Sequence, residues 1–322
     1  MPSQPAPKTL PSYADLKSRR DGKPPGSAWG VFGEGDEIGT INLLDAGRVL
    51  AGIREVVLGE VHSLNWDVTE PSPNPHRPCP VRTHIVAPGI ARDDSLSPFP
   101  LQYSSQWDGL RHVETGGRFY NDTDPARVDD PASTTLGIQL WAERGIVGRG
   151  VLLDVAGHQA AKGTPFDPGS RFEITTALLD EVAAAQGTTI ERGDILLIRT
   201  GWAGWFQKLS PAERKRRFQA DSPQAGLEPV EASAAWLWDK HVAAVAADNV
   251  ALESMPVSMA STDGFLHFKL IPALGLAVGE LFWLDGLAAA CRADRRWSFF
   301  FTSAPLNVPG GVGSPPNALA IR

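Results

Sequence analysis

The fold of this chain is decided by the stretch "GIVGRGVLLDVAGH", residues 145–158, which is apolar almost throughout and turns polar at Asp154 and His158. A near-continuous apolar run of this length is typical of a strand that is buried on both faces, as in the parallel sheets of α/β proteins. It predicts a strand from Gly150 to Val155. "GDILLIRTGW" (193–202) is a second such run, and "VAAVAADNVALE" (242–253) passes from strand into loop.

Segments with helical spacing lie between and after these strands. "ITTALLDEVAAAQG" (174–187) predicts a helix that ends at Gly187, and "SPAERKRRF" (210–218) predicts one that begins at Ser210 with Glu213 three residues later. "VEASAAWLWDKH" (230–241) and "ELFWLDGLAAACRADRR" (280–296) also predict helices, and "WSFFFTSAPL" (297–306) predicts a strand. The alternation predicts an α/β fold with a central mixed sheet flanked by helices.

The remaining segments are less regular. Residues 1–26 are rich in Pro, Ser and Lys and predict an N-terminal arm, which leaves 27–322 as a single domain. We expect a short helix from Leu43, a strand over 62–68, and a long loop over 69–100 with a strand within "THIVAPG" (83–89). The Gly/Pro-rich tail "NVPGGVGSPPNALAIR" (307–322) predicts no regular element.

The composition restricts the partners of the protein. The net charge is −7 with no basic stripe, so we expect no nucleic-acid partner. No apolar run reaches about 18 residues and the N-terminus lacks an apolar signal core, so we expect no membrane contact. Cys79 and Cys291 lie far apart and predict no disulfide framework, which fits the reducing cytoplasm.

Several catalytic motifs are missing from the sequence. It has no G-x-S-x-G elbow for a nucleophilic serine, no H-E-x-x-H zinc helix and no Walker A loop. The glycines of "GGVGS" (310–314) are followed by two prolines rather than a helix, so they do not form a dinucleotide fingerprint. Any chemistry must therefore come from other polar clusters.

The stretch "LQYSSQWDGLRHV" (101–113) is the first such cluster. Gln102, Gln106, Asp108 and His112 are separated by even numbers of residues, which in a strand places them on one face. Asp108 and an amide oxygen suit a hard cation, and His112 could act as a ligand or general base. The alternative is a polar strand edge in which Asp108 caps a turn at Gly109.

Two further clusters are ambiguous on their own. His267 and Glu280 lie in the apolar segment 263–287, where a carboxylate is costly unless it is paired or binds a metal, although Glu280 could simply begin a helix. Asp248, Asn249 and Glu253 follow a predicted strand, where they could line a site or form Asx turns. His158 also follows a buried strand, and a structural role is the simpler interpretation.

Together these segments resemble the cyclase family of metal-dependent hydrolases, which includes bacterial kynurenine formamidases and isatin hydrolases. The similarity runs from Trp29 to the C-terminus and includes "WGVFGEGDEIGTINLL" (29–44) and the ending "APLNVPGGVGSPPNALAI" (304–321). The family signature H-x-G-T-H-x-D-x-P-x-H aligns on its aspartate with Gln102, Ser104, Ser105, Gln106, Asp108, Leu110 and His112. Only the aspartate and the last histidine are kept.

The resemblance implies a swivelling β/β/α-like fold and a set of site residues. Asp108, His267 and Glu280 would bind a metal, with Gln106 as a further ligand, and His112 would be the catalytic acid/base. Because the first two signature histidines are Gln102 and Gln106 here, we expect one divalent ion rather than two. A ligand set dominated by oxygen favours Mn²⁺ over Zn²⁺.

The function that follows is a metal-dependent hydrolase of a small-molecule substrate, cleaving an amide, cyclic amide or imide, or lactone bond. Trp107, Tyr120 and Trp29 would bind a ring-containing substrate, although each could equally be a core residue. One alternative is a biosynthetic cyclase or dehydratase that uses the same metal as a Lewis acid, and another is a metal-free binding protein. The resemblance also implies a homodimer or homotetramer.

Overall fold

A nine-stranded mixed sheet forms the centre of the protein. The computed structural model describes residues 7–219, 221–258 and 264–322. Within that part of the chain the strands are β1 (Val61–Ser63), β2 (Arg82–Ala87), β3 (Ala91–Leu96), β4 (Gln106–Asp108), β5 (Ile146–Asp154), β6 (Glu173–Ile174), β7 (Ile195–Arg199), β8 (Gly226–Leu227), β9 (Ala244–Ala247), β10 (Ala277–Glu280), β11 (Ser298–Ser303), β12 (Gly313–Ser314) and β13 (Ala318–Ile321).

The strand order in the large sheet is β1-β13-β11-β5-β7-β9-β10-β4-β12. The four central strands β5, β7, β9 and β10 are parallel, and the strands on either side of them pair antiparallel. β2 and β3 form a separate antiparallel hairpin, and β6 pairs with β8. The architecture is therefore a single α/β unit with a mixed central sheet, as the sequence predicts.

The helices of the described residues are α1 (Tyr13–Ser18), α2 (Ala46–Ile53), α3 (Pro125–Asp129), α4 (Gln139–Arg144), α5 (Val155–Ala161), α6 (Thr176–Gln186), α7 (Trp202–Gln207), α8 (Pro211–Arg217), α9 (Glu231–Asp239) and α10 (Asp285–Asp294). Short turns of 3₁₀ helix cover Gly39–Leu43 and Tyr120–Asp122, and a π turn covers Lys269–Ala273. Gly187 ends α6 in the left-handed conformation, and Ser210 with Glu213 forms a capping box on α8, so both predicted helix boundaries are confirmed.

The parallel strands form the most deeply buried part of the core. Leu152 on β5, Leu197 on β7 and Ala246 on β9 lie side by side in register, and all three are fully buried. A strand that is covered on both faces needs apolar residues at consecutive positions, which is why the sequence of each reads as an unbroken apolar run. These three strand predictions are confirmed, although β5 begins at Ile146 rather than Gly150 and ends at Asp154.

The structure differs from the sequence-based expectation in two regions. Glu280 is the last residue of β10 rather than the first residue of a helix, because α10 begins at Asp285. The C-terminal tail, expected to be irregular, provides β12 and β13. Pro315 and Pro316 lie between these two strands, where they remove no ladder hydrogen bond.

Two smaller boundaries also shift. α2 begins at Ala46 with Asp45 as its N-cap rather than at Leu43, and the strand expected over 62–68 ends at Ser63.

In the N-terminal segment, Tyr13 and Leu16 of α1 are buried, and the backbone N–H of Tyr13 donates to Asp239 of α9 at 2.7 Å. The described part of the expected arm, residues 7–26, therefore packs against the domain.

Candidate active site

The pairing of β4 with β10 brings the first polar residues together. Gln106 lies opposite Glu280 and Asp108 lies opposite Val278, so the carboxylates of Asp108 and Glu280 share one face of the sheet with the Gln106 amide. The strand in "LQYSSQWDGLRHV" spans only Gln106–Asp108, and the residues before and after it lie in turns. All three side chains are buried.

His267 completes this cluster from the segment that precedes the π turn. Its Nε2 lies 3.2 Å from Oε1 of Glu280 and 3.8 Å from Oδ2 of Asp108. Its ring stacks on Phe265, with centroids 4.6 Å apart and an interplanar angle of 10°. One ligand atom from each of Asp108, His267 and Glu280 falls within 4.8 Å of the others, which is the spacing of a metal-ligand group.

Glu253 holds the other side of the His267 ring. Both of its carboxylate oxygens lie 3.1 Å from Nδ1, and Oε1 also accepts the backbone N–H of Leu266 at 3.2 Å. Glu253 is fully buried. The carboxylate orients the imidazole so that Nε2 faces Asp108 and Glu280.

The two glutamines occupy the remaining carboxylate oxygens. The Gln106 amide nitrogen donates to Oε2 of Glu280 at 2.6 Å and lies 3.4 Å from Oδ1 of Asp108. The Gln102 amide nitrogen donates to the same Oδ1 and lies 3.2 Å from Nδ1 of His112. In both Asp108 and Glu280, one carboxylate oxygen thus accepts from a glutamine amide and the other faces His267.

Two buried oxygens in the cluster lack a hydrogen-bond partner among the residues that the structure describes. They are Oδ2 of Asp108 and Oε1 of Gln106. A buried carboxylate oxygen without a donor is costly, so its position suggests a cation as the missing partner. The set of two carboxylate oxygens and one imidazole nitrogen fits a divalent ion.

Burial and neighbouring charges shift the pKa values of these groups. Burial would raise the pKa of Asp108, but His112, His267 and the Gln102 amide together lower it to about 2. Burial and the charge of Asp108 raise the pKa of Glu280 to about 7, against the opposing effect of His267. Burial would lower the pKa of His267, but Glu253, Asp108 and Glu280 raise it well above its ordinary value. The imidazole of His267 is therefore protonated near pH 7, and it is the positively charged partner of Asp108 and Glu253.

His112 lies at the edge of the cluster. Its Nε2 is 3.7 Å from Oδ1 of Asp108, and its side chain is 28% exposed. Asp108 would raise the pKa of His112, but burial together with His267 and Arg77 lowers it below its ordinary value. The imidazole is therefore neutral near pH 7.

The aromatic residues expected to bind substrate do not gather at this cluster. Trp107 faces the opposite side of β4, packs against Phe282 at 5.0 Å and donates its indole N–H to Ser303, so the structure places it in the core. Tyr120 is buried and its hydroxyl donates to Asp36 at 2.9 Å. Neither side chain reaches the carboxylates of Asp108 and Glu280.

Trp29 is also buried, and its indole N–H donates to the carbonyl of Pro272 at 2.7 Å. It lines a cleft of about 590 Å³, which also borders the N-terminal segment, the 115–122 turns and Phe268–Ala273. None of Asp108, His112, His267 and Glu280 lines this cleft. The substrate role of Trp29 stays a prediction.

The third sequence cluster separates into two roles. Asp248 accepts the backbone N–H groups of Thr200 and Gly201, at 2.6 and 2.8 Å, and so holds the turn that starts α7. Asn249 donates to the carbonyl of Ala225 at 2.8 Å. Of these three residues, only Glu253 reaches the site. The only feature of the sequence that pointed to it is its position as a carboxylate after an apolar strand. His158 pairs with Glu181 at 2.9 Å, away from the cluster.

The described residues contain no helix that combines the length and apolar character needed to cross a membrane.

Comparison with curated proteins gives no match. The Cyclase family model matches residues 62–254. This match begins within β1 and includes both the Gln102–His112 segment of the site and Glu253.

Solved structures show the same relationship. A novel cyclase is 33% identical, with a TM-score of 0.82, and the match covers 92% of this chain and 99% of the other. An isatin hydrolase bound to the product analogue thioisatinate is 17% identical, with a TM-score of 0.59 over 86% of this chain and 98% of the other. A predicted metal-dependent hydrolase from Bacillus stearothermophilus is 16% identical, with a TM-score of 0.51 over 81% and 97%. The last two show a shared fold.

Proposed function

The chain belongs to the cyclase family, and from this we propose that it is a metal-dependent hydrolase of a small, ring-containing molecule. The bond cleaved is an amide, a cyclic amide or imide, or a lactone. One observation carries the proposal: Asp108 Oδ2, Glu280 Oε1 and His267 Nε2 converge in a buried cluster. Isatin hydrolases and a predicted metal-dependent hydrolase that share the fold support it.

The residues that would hold the ion are Asp108, His267 and Glu280. Gln106 was expected to be a ligand through its oxygen, but its amide nitrogen is the atom that faces the carboxylates. Because the glutamine amides already occupy the second oxygen of each carboxylate, we assign a single divalent ion to the site. Two hard carboxylate oxygens with one imidazole favour Mn²⁺ over Zn²⁺.

When bound, such an ion supplies Lewis acidity, which acidifies water and polarises a carbonyl group. The protein supplies the proton transfers. A neutral His112 takes a proton from the attacking water and returns it to the leaving nitrogen or oxygen. The imidazolium formed in between lies 3.7 Å from Asp108, whose negative charge stabilises it.

Glu253 is a positioning residue in this scheme. It accepts a hydrogen bond from Nδ1–H of His267, so Nε2 is the nitrogen that faces Asp108 and Glu280 and that would give up its proton to a metal ion. Carboxylates that bind the far nitrogen of a metal-ligating histidine orient the ring and raise its basicity. Gln102 acts similarly on the other side, since its amide contacts both Asp108 and His112.

The test is a reaction screen of the Mn²⁺-loaded protein against cyclic imides, lactones and aryl amides, followed by mass spectrometry. Hydrolysis adds one water to a ring-opened product, whereas a cyclase or dehydratase does not consume water. His84→Ala is the matched control for His112→Ala, because His84 is an exposed histidine of the hairpin. The proposal would be contradicted if the Mn²⁺-loaded wild type formed no water-dependent product from any of the three classes of compound.

A further inference from the structure

Asn249 is a fully buried residue that has no part in the reaction scheme above. Its amide nitrogen lies 2.8 Å from the carbonyl oxygen of Ala225, 3.2 Å from that of Leu252 and 3.3 Å from that of Glu253. Only the amide nitrogen can donate to carbonyl oxygens, so these contacts fix the orientation of the side chain. The side chain therefore ties the backbone at Leu252 and Glu253 to the residue that precedes β8.

The main chain of Asn249 holds a second segment of the site. Its carbonyl oxygen accepts the backbone N–H of Leu281 at 2.9 Å, and Leu281 directly follows Glu280 at the end of β10. On the other side of the same residue, the hydroxyl of Ser105 donates to the carbonyl oxygen of Leu281 at 2.5 Å. One residue, Asn249, thus contacts both the segment that carries Glu253 and the segment that carries Glu280.

Each of these two segments contains a leucine in a backbone conformation that leucine rarely adopts. Leu252, directly before Glu253, has a φ of 56°, and Leu281, directly after Glu280, has a φ of 55°. A residue other than glycine is strained in the left-handed region and stays there only where the surrounding contacts impose it. Asn249 bonds to both leucines, through its amide nitrogen to one and through its carbonyl oxygen to the other. It therefore holds the turn beside each carboxylate.

Gly226 on β8 allows the chain to pass close to these contacts. The next residue, Leu227, donates its backbone N–H to the carbonyl oxygen of Leu252 at 3.0 Å, so β8 runs beside the Glu253 segment. A Cβ atom at Gly226 would lie 2.3 Å from the carbonyl carbon of Glu253 and 2.6 Å from the amide nitrogen of Asn249. Atoms do not approach one another this closely, so a side chain at this position would displace the Glu253 segment.

We propose that Asn249 is a positioning residue of the metal site, which sets the places of both Glu253 and Glu280. The inference rests on the proposed function, since it requires that the ion binds at Glu280 and that Glu253 orients His267. Asn249 would not touch the ion or the substrate. It acts through the two strained turns, and a site of this kind must be held to within about 0.5 Å of its working geometry.

Calorimetric titration of Mn²⁺ into the full chain, stripped of metal, tests the inference. Asn249→Ala removes the amide, and Gly226→Ala adds a Cβ atom against the same turn. We expect each variant to bind Mn²⁺ about 10-fold or more weakly than the wild type. Two matched controls should keep wild-type affinity. Asn42→Ala removes a buried amide that donates to Asp36 at 2.6 Å, and Gly286→Ala adds a Cβ atom where no other atom lies within 4 Å.

A double-mutant cycle separates positioning from a general loss of stability. Because Asn249 acts partly through Glu253, we expect Asn249→Ala to cost less Mn²⁺ affinity in a Glu253→Ala background than in the wild type. Equal costs in the two backgrounds would overturn the inference.

Hydrogen exchange of the wild type gives a readout that needs no variant. Mn²⁺ should slow exchange of the Leu281 amide, which donates to the Asn249 carbonyl. An unchanged rate at Leu281, or wild-type Mn²⁺ affinity in either folded variant, would overturn the role of Asn249 and leave the metal site standing. A wild type that binds no Mn²⁺ would overturn the proposed metal site and this inference with it.

Discussion

Both carboxylate oxygens of Glu253 lie 3.1 Å from Nδ1 of His267, on the side of the imidazole that faces away from Asp108 and Glu280. Glu253 is fully buried and His267 is 3% exposed, so water does not weaken this contact. The direction of the His267 ring is therefore set by a residue that would not itself touch the ion. The affinity of the site for metal then depends on Glu253.

Glu253→Ala is predicted to weaken Mn²⁺ binding by about 10- to 100-fold, because the imidazole loses the carboxylate that orients it. This corresponds to about 1.4–2.7 kcal/mol in a calorimetric titration. Glu253→Gln keeps an oxygen that can accept from Nδ1–H and should bind more tightly than the alanine variant. Glu181→Ala is the matched control, because Glu181 pairs with His158 away from the site. Wild-type affinity in Glu253→Ala would show that Glu253 has no positioning role.

His112→Ala is predicted to keep its metal and to lose turnover. The loss should be about 10²- to 10⁴-fold, the usual contribution of a general acid/base. Metal content is measured by elemental analysis and turnover on the substrate that the screen identifies. Full activity would remove His112 from the mechanism, and loss of metal would make it a ligand instead.

Gln106→His is predicted to tighten Zn²⁺ binding, because imidazole is a better zinc ligand than an amide. The substitution also removes the amide that now donates to Glu280 at 2.6 Å. Gln106→Leu is the control, since it removes the same hydrogen bond without adding a ligand and should not gain affinity. If competition with a chelator gave equal Zn²⁺ affinity for wild type and Gln106→His, residue 106 would lie beyond reach of the ion.

Asp194 predicts a pH effect on stability that is independent of the site. Burial raises the pKa of Asp194 to about 7, although Arg149 lies 2.6 Å away and opposes the shift. A carboxyl whose pKa is raised by folding stabilises the protein below its unfolded pKa, and this contribution is lost as the pH rises through the folded value. The stability of wild type relative to Asp194→Asn should therefore fall between pH 4 and pH 7. Denaturant unfolding across this range measures it, and a relative gain would contradict the assignment.

The core strands could be predicted from sequence because the burial of each of their residues is visible in the apolar character of that residue. β5, β7 and β9 are covered on both faces, so every position is apolar and the run is visible without knowledge of its neighbours. Gly187 and Ser210 are recognisable for a similar reason, since a helix cap depends on a few adjacent residues.

The secondary-structure predictions are wrong where pairing with distant parts of the chain decides the structure. β13 forms because Ala318–Ile321 pairs with β1 and β11, both far away in sequence, and its own Gly/Pro-rich surroundings gave no indication of a strand. Glu280 ends a strand that is held between β9 and β4, although its apolar flanks fit a helix equally well. Local composition does not distinguish these possibilities.

The site was predictable in part. The family resemblance pointed to Asp108, His267 and Glu280, and the structure brings these three together. The sequence offered Glu253 as a candidate, but its contact with His267 appears only in the structure, because no spacing rule relates the two residues. The placement of Trp107 could have been predicted, since the alternation that puts Gln106 and Asp108 on one face of a strand puts the residue between them on the other.

One divalent ion is proposed to bind between Asp108, His267 and Glu280. Elemental analysis of the wild type and Asp108→Ala, after loading with Mn²⁺ and removal of free ion, tests it most directly. We expect one ion per chain in the wild type and none above background in Asp108→Ala, since the variant lacks the carboxylate that holds the ion. A wild type that takes up no Mn²⁺ or Zn²⁺, or an Asp108→Ala variant with the same metal content as the wild type, would contradict a metal site at these residues.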